Sequence, residues 1–72
     1  MMFNNEDTKK AFTEAATKYP DLLLKWAEGT NYGVEVIASD ISLPELLELA
    51  AQNAEGDTKA KIKRVLSSKY GR

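Results

Sequence analysis

Two groups of side chains in this sequence have types and spacings suited to chemistry. Glu45 and Glu48 stand one helical turn apart, so a helix brings both carboxylates to one face, as general acid–base work requires. Carboxylates do such work when a cleft drives their pKa values apart. Here Glu45, Glu48, Gln52 and Glu55 recur opposite an apolar stripe of Leu43, Leu46, Leu47, Ala50 and Ala54, where solvation is the ordinary fate. The chain has no histidine and no cysteine. It therefore lacks the usual bases and thiols of nucleophilic relays and the usual structural zinc ligands. Nor does it carry the P-loop, the dinucleotide glycine fingerprint or the calcium-loop spacing. The expectation is a protein that is not an enzyme, with no metal and no cofactor.

The second group is basic. Lys59, Lys61, Lys63 and Arg64, with Ser67 and the small Ala60 and Ser68, give residues 58–70 a face that can approach a phosphate backbone or a groove closely. The competing reading is a solvated face, or one matched by acids elsewhere in the fold. Charge is strongly segregated along the chain: residues 20–57 carry −7, residues 58–72 carry +6, and residues 1–19 are neutral. Such asymmetry bears on partners rather than on fold. A −7 surface on a small rigid body suits a basic groove on another protein. In size and charge style the chain is similar to small inhibitors encoded by viruses and mobile elements.

The elements that must position these groups follow from periodicity and punctuation. A first helix opens at Asn4 or Asn5, with Glu6 and Asp7 at the positive end of its dipole, and presents Thr8, Phe12, Ala15, Ala16 and Tyr19 as one stripe. Pro20 ends it and suits the first position of a second helix over residues 20–28, closed by Gly29. That short helix is nearly wrapped in apolar groups, which predicts burial between neighbours with Trp26 at the centre of the core. Phe12 and Tyr19 are expected inside as well, while Phe3, Tyr32 and Tyr70 are candidate interface anchors.

Residues 32–41 are ambiguous between helix and strand. Tyr32, Val34, Val36 and Ala38 alternate as in a strand, yet Val34, Ile37, Ala38 and Ile41 fit a helical template. The sequence offers no evident second strand, and a lone strand leaves its backbone groups unpaired. Within a monomer this favours helix or irregular structure. Ser42-Leu43-Pro44-Glu45 reads as a capping box for a third helix over residues 43–54, with Ile41 and Leu46 as a hydrophobic staple. Gly56 supplies a left-handed break, Asp57 can cap a fourth helix, and Ile62, Val65, Leu66 and Tyr70 form its inner face.

Two family resemblances attach to this last unit. The spacing of Gly56, Ile62 and Val65 resembles the turn glycine and recognition-helix core of helix-turn-helix proteins. Gln52 stands where that family usually has alanine, and Asp57 where it has an apolar residue. Asp40-Ile41-Ser42-Leu43-Pro44 followed by helix, glycine and basic helix resembles ribbon-helix-helix repressors, which pair such a strand across a dimer. The outward strand residues would there be Ala38, Asp40 and Ser42, not the basic and amide groups that read bases.

The expected architecture is all-α: a single helical domain over residues 1–72, folded as a small compact bundle of three to five short helices. A core this small is marginal and has no disulfide to help, so a homodimer is in view on size alone. Residues 1–7 lack the features of a secretory signal and no apolar run is long enough to span a bilayer, so the expected location is cytoplasmic. The expected function is regulation or inhibition of another macromolecule through a protein–protein surface formed by Glu45, Glu48, Gln52 and Glu55. The alternative is a dimeric DNA-binding protein acting through Lys59, Lys61, Lys63, Arg64 and Ser67.

Overall fold

The computed structural model describes residues 5–33, 36–38 and 41–72. Four helices make an all-α bundle among these residues: α1 (Asn5–Lys18), α2 (Pro20–Gly29), α3 (Leu43–Asn53) and α4 (Gly56–Tyr70). A two-stranded antiparallel ribbon, β1 (Val36–Ala38) with β2 (Ile41–Ser42), lies between α2 and α3 in the chain. Among the described residues no helix is long and apolar enough to cross a membrane.

α3 is the hub, packing against α1, α2 and α4. Its leucines at i, i+3 and i+4 explain why: Leu43, Leu46 and Leu47 are fully buried, and Ala50, Ala51 and Ala54 continue the same face. α2 contributes Leu23, Leu24 and Ala27, α1 contributes Ala16, and α4 contributes Ile62 and Leu66. Among the described residues the buried core is aliphatic, and five of its twelve members are alanine, so the helices can approach closely. That explains the first departure from expectation. Trp26 is not the core centre but lies at its edge, 36% exposed, with its ring 4.9 Å from Phe12 in an edge-on contact. An indole is too bulky for an interior built on alanine contacts, and a place at the rim does not require a buried partner for its N–H. Phe12 is partly buried. Tyr19 is exposed because it occupies the single-residue break between α1 and α2.

The helix ends differ from expectation in instructive ways. Gly29 is the last residue of α2, and the left-handed conformation falls on Asn31 (φ 58°) and Tyr32 (φ 57°). The chain turns there through Asn31 N–H to the Glu28 carbonyl (3.0 Å) and Tyr32 N–H to the Ala27 carbonyl (3.1 Å), with the Thr30 hydroxyl donating to the Ala27 carbonyl at 2.8 Å. Ser42 occupies the N-cap of α3 with extended backbone but makes no side-chain capping bond, so the expected capping box is absent. Ser42 is held instead by the strand ladder, opposite Val36. Glu55, not Asp57, precedes α4, and it too makes no side-chain capping bond. Gly56 has φ 60°, the left-handed break expected of it.

Residues 36–38 are strand, not helix, and their partner lies within the same chain. The two-residue β2 runs straight into α3, so its pairing role is hidden behind its position before the helix. β1 also packs on α1. Phe3, Asn4, Val34 and Asp40, singled out in the sequence, lie outside the described residues.

Candidate functional site

The nine residues that the sequence nominates do not form two separate faces. Glu48 and Gln52 from α3 and Lys59 and Lys63 from α4 line one open groove of about 440 Å³, floored by Ala51 and Leu66. The arrangement follows from helix geometry. Glu48 and Gln52 are i, i+4 on α3, Lys59 and Lys63 are i, i+4 on α4, and the two helices pack side by side. One wall is acidic and amide, the other cationic, and the floor is apolar.

The remaining five residues stand apart from this groove. Glu45 and Glu55 are exposed near the two ends of α3. Lys61 points to the other side of α4, into a hollow shared with Asp21, Lys25, Glu28 and Thr58. Arg64 and Ser67 are exposed on α4.

Acids therefore flank the basic helix on both sides, Glu48 from α3 and Asp21 and Glu28 from α2. The end of the chain adds to this matching. Gly71 adopts φ 67°, the Arg72 N–H donates to the Leu66 carbonyl at 3.0 Å, and the guanidinium turns back to donate to Glu48 Oε2 at 2.9 Å. Lys69 holds its ammonium 5.6 Å from the Tyr32 ring centroid, a cation–π contact. Burial, and then the Glu28 carboxylate, raise the Tyr32 phenol above its ordinary value. The α3–α4 unit keeps the left-handed glycine and buried Ile62 of the helix-turn-helix resemblance, but its outer surface alternates in charge.

A second surface escapes the sequence reading. On α1 and α2, Ala11, Phe12, Ala15, Leu22, Leu23 and Trp26 enclose a shallow apolar hollow of about 220 Å³. Leu22 is 55% exposed and Tyr19 53%. The signal for it is in α2, whose apolar residues outnumber what a single buried face holds. A chain this short cannot cover a helix on every side.

Comparison with known proteins finds no family model, no curated protein and no solved structure that matches this chain.

Proposed function

We propose that this is a small non-enzymatic binding protein that regulates or inhibits another macromolecule by engaging a segment of a protein partner in the α3–α4 groove. The observation carrying this reading is the pairing of opposite charges across an apolar floor: Glu48 and Gln52 face Lys59 and Lys63 over Ala51 and Leu66. A uniformly anionic duplex is attracted by one wall and repelled by the other. A polypeptide segment with an apolar side chain between a basic and an acidic residue satisfies both walls and the floor. Glu48 already accepts from Arg72, and a carboxylate has acceptor capacity for a further donor. Two of the four residues expected to act as an acidic face, Glu48 and Gln52, thus work together with two of the five from the basic one, Lys59 and Lys63.

The test is an amide-resonance titration of the full chain with short peptides bearing Arg, Leu and Glu in alternative orders, beside an all-acidic control and mixed-sequence duplex DNA. The reading expects saturable shifts at Ala51, Gln52 and Leu66 with a mixed-charge peptide, weakened by Glu48→Lys and by Lys63→Glu. Tight DNA binding centred on Arg64 and Ser67, falling steeply with salt through counterion release, would replace it with the nucleic-acid reading. No saturable shift with any peptide would remove the groove from consideration.

A further inference from the structure

We propose that the apolar face of α1 and α2 seats a second copy of this chain, with the two α1 helices antiparallel about a two-fold axis. The face shares no residue with the α3–α4 groove, so a dimer of this kind presents two open grooves.

Three observations converge on a second copy as the occupant. The first is charge register. Along the exposed side of α1, Glu6, Lys10, Glu14 and Lys18 alternate in sign at successive turns; they line the hollow that flanks the apolar face, one residue before Ala11 and Ala15 in the case of Lys10 and Glu14. A two-fold axis perpendicular to α1 sets Lys10 against Glu14 of the other copy and Glu6 against Lys18. An axis parallel to α1 sets like against like. The antiparallel arrangement alone is charge-matched and closed. The intrahelical contact of Glu14 with Lys18, 3.7 Å and well exposed, is weak enough to be shared with a neighbour.

The second is shape. Ala11 is exposed and Ala15 half-buried, so a helix can come close over them, while Leu22 and Trp26 stand up at the side of the hollow. In an isologous contact each copy provides both the ridge and the hollow. Trp26 is already braced edge-on by Phe12, which suits a rigid aromatic anchor.

The third is area. A stable interface takes about 800 Å² from each partner. That is about a sixth of this chain's 4928 Å² surface, within reach of the outward faces of two helices out of four.

Sedimentation velocity of the full chain, from low-micromolar to sub-millimolar concentration, tests the proposal, with circular dichroism confirming that each variant is folded. The expected result is a concentration-dependent monomer–dimer equilibrium. Ala11→Arg, at an exposed position that the fold tolerates, and Leu22→Glu should each weaken the dimer at least about tenfold, the scale of losing one interface anchor. Lys10→Glu alone and Glu14→Lys alone should also weaken it, while the double exchange restores it, because the two positions face each other across the axis. Should Leu22→Glu unfold the chain, Ala11→Arg and the charge exchange carry the test. A wild-type chain that stays monomeric throughout overturns the proposal, as does a dimer indifferent to Ala11→Arg. A dimer that the double exchange fails to restore overturns the antiparallel register. Peptide titration of the Ala11→Arg variant keeps the groove reading separate, since loss of the dimer leaves the groove intact.

Discussion

Leu22 and Leu23 are neighbours of identical chemistry in one helix, yet the fold assigns them opposite fates. Leu22 is 55% exposed and Leu23 is 2% exposed. Truncating Leu23 to alanine removes buried methyl and methylene groups and leaves a cavity in the core it shares with Leu24 and Leu46, which costs about 3 kcal/mol. The same truncation at Leu22 removes groups already largely in water. At about 0.8 kcal/mol per fully buried carbon, scaled to its buried half, the cost is about 1 kcal/mol with no cavity term. For a domain of this size each kcal/mol shifts the melting temperature by about 4–8 °C, so the two variants should melt about 8–16 °C apart. Leucine and alanine are both good helix formers, so propensity separates the variants little. The assay is thermal and urea unfolding followed by circular dichroism, repeated across protein concentrations so that any self-association registers as a concentration-dependent midpoint. Equal losses, or a larger loss at Leu22, would refute the rotation of α2 about its axis and the apolar surface with it.

Two glycines make a similar contrast, because a Cβ added at either one meets open space and only the backbone separates them. Gly56 has φ 60°, so Gly56→Ala should cost about 1 kcal/mol of left-handed strain. Gly29 has no positive φ, so Gly29→Ala should gain about 0.4–1 kcal/mol, both changes being read from urea midpoints. Arg72→Ala, which removes a pair exposed by 42% and 45%, should change stability by less than about 1 kcal/mol, and a double-mutant cycle with Glu48→Gln measures the coupling. The raised Tyr32 phenol means that the folded chain keeps a proton above pH 10.0 that the unfolded chain has released. Its contribution is complete below that pH and stability falls as pH rises through it, the order expected when the native state binds more protons. Ultraviolet titration of tyrosinate, compared with a Tyr32→Phe variant, should assign a late-titrating phenol to Tyr32, moved only partly back by Glu28→Gln because burial is the larger cause.

The inner faces of α3 and α4 are legible in the sequence because each carries a regular i, i+3, i+4 stripe whose opposite side is charged, leaving one way to bury it. Every residue of the α3 stripe is buried. α2 is not legible in the same way, since its polar residues are too few to mark a unique rotation. Tryptophan's large apolar area argues for a central place that alanine packing has no room for. The ribbon is hidden because pairing is non-local. Ile41 and Ser42 read locally as a helix approach, and nothing within the segment says that Val36 lies opposite Ser42. Asn31 and Tyr32 are masked by the glycines on either side, which carry the statistical expectation for a left-handed turn but not the conformation itself.

For the site, residue types are readable and their relation is not. The sequence points Glu48 and Gln52 to one function and Lys59 and Lys63 to its rival, because it does not show which flanks of two helices meet. Once α3 and α4 pack side by side, the same residues become opposite walls of one groove. The segregation of −7 and +6 along the chain undergoes the same conversion. α4 comes to rest between acids from α2 and α3, and the last residue of the sequence folds back onto Glu48. Opposite charges on the two walls of one groove present a surface whose potential changes sign across it. Such a field fades quickly with distance, so it does little to steer a distant polyanion and a great deal to select the order of charges in a segment already in contact. On the proposed reading, a sequence that reads as polarised folds into a surface whose selectivity acts at short range, as a partner-specific binding protein requires.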